Sequence, residues 1–213
     1  MLRKSFVLTS LAALAMTGCT REGDIDSSGG IAITRSACPG IAIPVYTGDV
    51  TLFSPAEARS ADAIDVVATL TNLRSTCVEQ GADIVATASF DVVATRTNTS
   101  GARQLVLPYF ATVVQGGRVV VSKRISTIVL NFADGARRAE AKGSATGYVN
   151  HAAATLPPQV QDRLTRKRKA GDVDAALDPL ADPDIRAAVQ KASFELLVGF
   201  QLTDEQLKYN ATR

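Results

Sequence analysis

Between Ile84 and Ala94 every second residue is apolar: Ile84, Ala86, Ala88, Phe90, Val92 and Ala94 alternate with Val85, Thr87, Ser89, Asp91 and Val93. Successive side chains of a strand point to opposite faces, so a period of two collects one apolar set on one side. A helix would spread the same residues around its whole circumference. Ile64, Val66, Ala68 and Leu70 repeat the pattern against Asp65, Val67, Thr69 and Thr71. Gln80-Gly81 separates the two runs, and Asn98 to Gly101 closes the second. Leu105 to Gln115 and Arg118 to Leu130 then flank Gly116-Gly117, two residues that tolerate positive φ between two β-rich runs. Asp134-Gly135 leads into a further strand from Arg138 to Val149. Within it, Gly143-Ser144-Ala145-Thr146-Gly147 has neither the Lys nor the strand-to-helix setting of a phosphate loop and reads as an irregular strand.

Strands linked by short turns predict a mainly β fold, an antiparallel β-sandwich. With no Trp in the chain, the likeness to immunoglobulin domains is a loose one. Pro157 and Pro158 stop the strand pattern and open a helical insertion over about 156–190. A helix is expected from Val160 to Lys169, begun by the prolines, and short acid-capped helices at Asp178-Pro179 and Asp182-Pro183. Ala192 to Leu202 is the last strand, with Phe194, Leu196, Val198 and Phe200 on one face. Thr203-Asp204-Glu205-Gln206 is a capping box that opens a short C-terminal helix. The 213 residues, 46% hydrophobic and 21% charged, suit a single domain over 38–213. That balance excludes a disordered chain, a collagen-like repeat and a coiled-coil rod.

The N-terminus reads as an address. Arg3 and Lys4 precede an apolar stretch from Phe6 to Met16, which is too short to span a hydrocarbon core of about 30 Å and has the length of a secretory h-region. Met16-Thr17-Gly18-Cys19 follows and resembles the bacterial lipobox, in which a small residue precedes the Cys that becomes the lipidated first residue. Residues 1–18 are then a lipoprotein signal peptide and Cys19 the lipidation site. Thr20, rather than Asp, follows Cys19, and by the same resemblance the protein goes to the outer membrane, facing the periplasm. Residues 19–37 are a flexible tether. TREGDIDSSGGIAITRSA spans about 23 Å end to end as a flexible coil.

Cleavage changes the charge arithmetic. The chain has 23 basic and 21 acidic residues, a formal charge of +2, and removing Arg3 and Lys4 leaves 21 of each. A neutral mature chain offers no global attraction to nucleic acid or anionic lipid. Cys38 and Cys77 are the two cysteines left once Cys19 carries lipid. In an oxidising compartment they are expected to form a disulfide, lying before and after the first long strand and pinning the N-terminal segment to the sheet. The rival readings are two free thiols or a metal pair, and two Cys with one distant His make a poor zinc set.

The closing segment SFELLVGFQLTDEQLKYN, with the lipobox, is similar to a group of small uncharacterised outer-membrane lipoproteins of alphaproteobacteria. That resemblance covers most of the chain and implies no activity.

Residues that could carry chemistry are few. His151 is the one imidazole, at an expected strand-to-helix corner, and no acid and nucleophile flank it as a triad requires. Asp172, Asp174, Asp178, Asp182 and Asp184 are dense but lack the spacing of a Ca²⁺ loop and read as helix caps and a solvated acidic face. No metal and no cofactor is expected. Arg163, Arg166, Lys167, Arg168 and Lys169 form a basic cluster without interleaved aromatics, which suits an anionic partner better than nucleic acid. The acidic block that follows is able to neutralise it. Asn98-Thr99-Ser100 and Asn210-Ala211-Thr212 match the glycosylation sequon by chance in a chain with a bacterial lipobox. The expected function is non-enzymatic: binding or structural support of another envelope protein or a cell-wall polymer. The alternative is an envelope hydrolase that uses paired carboxylates.

Overall fold

The computed structural model describes residues 35–166 and 177–213. Two four-stranded sheets form a β-sandwich. The elements are β1 (Gly40–Ala42), β2 (Asp49–Phe53), β3 (Ile64–Gln80), β4 (Asp83–Arg96), β5 (Arg103–Gln115), β6 (Val119–Phe132), β7 (Arg138–Asn150), α1 (His151–Ala154), α2 (Pro158–Thr165), α3 (Pro183–Lys191), β8 (Phe194–Phe200) and α4 (Asp204–Thr212). One sheet has the order β1-β8-β5-β6 and the other β2-β3-β4-β7. All pairings are antiparallel except that of β1 with β8.

The alternation places the core as expected. Ile84, Ala86, Ala88, Phe90, Val92 and Ala94 are all buried, and Phe194, Leu196, Val198 and Phe200 face them from the other sheet. Each large side chain so buried contributes about 1.5–3 kcal/mol. The ring of Phe90 meets Tyr109 edge-on at 5.2 Å, and the Tyr109 hydroxyl donates to the Ser144 carbonyl at 2.8 Å. Tyr109 thereby buries its ring without stranding its polar atom.

Several expectations need correction. The 143–147 segment is regular strand, paired residue by residue with β4. Its glycines serve packing: a Cβ at Gly143 would come within 2.5 Å of Phe90 Cζ, and one at Gly147 within 2.7 Å of Val113 Cγ2. The Gly116-Gly117 turn is one residue longer than expected, since Gln115 pairs with Val119, while both glycines do take positive φ. The last strand is shorter than expected, running from Phe194 to Phe200, because Ala192 caps α3. The helix expected over Val160–Lys169 is Pro158–Thr165 and stops at Arg166, whose ψ is 121°. A continuing helix would set Lys167 one turn from Arg163 and Lys169 one turn from Arg166, like charges that repel at i,i+4 and i,i+3.

The cysteines are joined as expected, Cys38 to Cys77, with Cα atoms 6.1 Å apart and a separation of 39 residues. Cys77, however, lies inside β3 and not after it, because the strand runs on to Gln80. β2 covers only the first half of β3, so the bridge ties the segment before β1 to the uncovered half. Arg35 and Ala37, in the stretch assigned to the tether, touch the domain. Arg35 donates to the Ala154 carbonyl at 3.3 Å, to Ser193 Oγ at 3.2 Å and to the Ala192 carbonyl, and Ala37 packs on the core.

Candidate docking surface on the β6 edge

β6 ends its sheet, so one row of its backbone N–H and C=O groups has no strand hydrogen-bonded to it among the described residues. Its burial is uneven. Ile128, Leu130 and Phe132 enter the core, whereas every residue from Val119 to Thr127 is exposed. Val119 is 59% exposed, Val120 60%, Ile125 59% and Val129 40%. In the ladder Val129 stands opposite Val106, also exposed, and Ile125 opposite Phe110. Two adjacent strands therefore present an apolar stripe on the outer face of the sheet, beside a free edge. Contiguous apolar surface of this kind marks interaction sites, and a free edge is a template for strand addition.

Two cations sit in the middle of that edge. Lys123 Nζ lies 5.3 Å from the Phe110 ring centroid on the outer face. Arg124 points the other way and places Cζ 5.9 Å from the Tyr148 ring of β7. Neither forms an ion pair with a carboxylate among the described residues. Opposite Val121 the ladder slips, with a register shift between Val113 and Val114. Charge and irregularity are the devices by which an edge resists pairing with copies of itself.

A groove of about 390 Å³ is bordered by Phe53, Arg59, Asp65, Arg103, Glu205 and Tyr209. Its cations are paired. Arg103 donates two hydrogen bonds of 2.7 Å to Asp65, which hold its guanidinium pKa above the usual value, and Arg59 meets Glu205 at 3.0 Å. The Arg59 guanidinium also lies 5.0 Å from the Phe53 ring. The Asp65–Arg103 pair joins β3 to β5, and Arg59 links α4 to β2 through Glu205 and the Phe53 ring.

Of the basic cluster, Arg163 and Arg166 are described, and Lys167, Arg168 and Lys169 lie outside the described residues. Arg163 forms a 2.7 Å ion pair with Asp182. Asp178 and Asp182 act as helix caps, accepting from the backbone N–H groups of Leu180 and of Asp184 and Ile185 respectively. The Asp184 N–H first, and Arg163 second, lower the Asp182 pKa. Asp172 and Asp174 lie outside the described residues, as does Cys19. His151 begins α1 and sits 3.8 Å from Glu79 on the surface. Among the described residues there is no cluster of metal-binding side chains, and no helix is long and apolar enough to cross a membrane.

The exposed stripe was not singled out from the sequence, although a signal for it is there. Val121, Ile125 and Val129 share one parity, while Ile128 and Leu130 have the other. A strand apolar on both parities and placed at a sheet edge buries one set and shows the other. Position at the edge is a property of topology, and topology is not encoded in the strand itself. No family model, no curated protein and no solved structure matches the chain.

Proposed function

We propose that the protein is a lipid-anchored module of the outer membrane that binds another envelope component and catalyses no reaction. The anchor is the lipid on Cys19, after removal of residues 1–18, and the domain faces the periplasm. Several acyl chains at about 0.8 kcal/mol per buried CH₂ make such attachment durable. The partner is held at the β6 edge and the stripe formed by Val106, Ile125 and Val129. The observation that carries this reading is the exposure of apolar side chains on a strand that also ends its sheet. A monomer with no partner gains nothing from such a surface and risks aggregation.

Crosslinking in intact cells followed by mass spectrometry tests the reading. The wild-type protein is expected in the outer-membrane fraction, joined to a defined partner through residues of the β5–β6 hairpin. Cys19→Ala should be released from the membrane and lose that adduct. Crosslinks confined to other faces, or unchanged fractionation of Cys19→Ala, would contradict it.

A further inference from the structure

We infer that the β6 edge takes up an extended acidic segment of a partner protein as an additional antiparallel strand, with two consecutive carboxylates opposite Lys123 and Arg124. The inference rests on the docking reading above and names the chemistry of the occupant.

The argument is one of charge and parity. Lys123 and Arg124 are consecutive in an edge strand, so they point to opposite faces. Their present neighbours are the Phe110 and Tyr148 rings, and no carboxylate among the described residues meets them. A strand laid against β6 brings its own side chains within about 5 Å of those opposite, where unlike charges attract and like charges repel. Its residues opposite Lys123 and Arg124 must then be adjacent acids, one on each face. The residue opposite Ile125 belongs to the outer face and continues the apolar stripe, as does the one opposite Val129. Read from its N-terminus, the antiparallel partner is apolar at the first and fifth positions and acidic at the sixth and seventh.

A second copy of the chain fits this edge poorly. Antiparallel pairing of β6 with itself, centred on Lys123 and Arg124, sets cation beside cation, and β6 carries no acid to relieve them. A polysaccharide lacks the alternating N–H and C=O groups that would complete the open ladder. The same two cations that guard the edge against self-pairing thus select an acidic strand, and the free backbone groups supply much of the affinity.

The test uses the full-length protein in detergent and the fluorescent peptide VTVTVEETV, which has this pattern, read by anisotropy. Saturable binding is expected, with Kd on the order of 100 μM or tighter. Lys123→Glu with Arg124→Glu should weaken it at least about tenfold and recover binding to VTVTVKKTV. Lys123→Gln with Arg124→Gln, which leaves no new charge, should give an intermediate loss. Methylating the edge-facing backbone nitrogens of the peptide should abolish binding. No binding to the wild type, or equal binding to the Glu variant, would overturn the inference. So would dimerisation of the full chain through β6 in the absence of peptide, which would assign the edge to a second copy. A crosslinked partner on the β5–β6 hairpin together with a silent peptide would overturn this inference alone. The absence of any adduct there would overturn the docking reading beneath it.

Discussion

The guanidinium of Arg96 lies 5.1 Å from the centroid of the Phe132 ring, and both residues are 2% exposed. Its Nε donates to the Ala136 carbonyl, Nη1 to Gly101, and Nη2 to Thr99 and Ala133, each at 2.8 Å. Four backbone acceptors from two turns take the place of a carboxylate partner. The charge closes the end of the sandwich where β4 leaves one sheet and β6 returns from the other.

Replacing Arg96 with Met should leave those carbonyls short of donors and cost about 3–4 kcal/mol in urea unfolding. Arg96→Lys should recover less than half of the loss, because one ammonium cannot reproduce a planar fork directed at separate carbonyls. A loss under about 1 kcal/mol for Arg96→Met would show that the turns hold without it.

The Cys38–Cys77 bridge closes 39 residues of chain. Cys77→Ala should lower stability by about 2–5 kcal/mol, the range for native disulfides. Intact mass after alkylation checks the bond itself. Two alkylated thiols without prior reduction would refute it.

Gly143→Ala should be destabilising by about 1–3 kcal/mol, because its Cβ has no room beside the Phe90 ring. Phe90→Leu shrinks that neighbour, so the double variant should lose less than the two single losses added together. Strict additivity would mean that the close approach of β7 to the ring is not what constrains the site.

Asp182 offers a pH signature. Its folded pKa lies below the ordinary carboxylate value, chiefly through the Asp184 N–H and then Arg163. Its contribution is therefore present above about pH 4 and is lost as the pH falls through the folded value. Asp182→Asn keeps a good helix cap but should flatten the acid limb of the stability curve. An unchanged limb would place the acid sensitivity elsewhere.

The sandwich was legible because its strands carry strict alternation, as in β4, and because Gly and Pro punctuate them. The helix caps at Asp178 and Asp182 and the box at Thr203–Gln206 were legible from side chains that bond their own backbone. Arg96 was not. A cation at the inward parity of β4 contradicts the pattern unless the turns that cage it are known. The β6 surface was not legible either, since it depends on β6 having no further strand paired to it among the described residues. The charge density conspicuous in the sequence lies instead at Arg163–Lys169. There Arg163 is already engaged with Asp182.

Photo-crosslinking from single positions in intact cells tests the docking surface most directly. A photoreactive residue at Ile125, on the outer face of β6, should trap one discrete adduct. The same residue at Thr69, on the outer face of the other sheet, should trap none. Lys123→Glu with Arg124→Glu should remove the Ile125 adduct while the protein still reaches the membrane. Equal trapping from Ile125 and Thr69, or an Ile125 adduct indifferent to the two charges, would contradict the account.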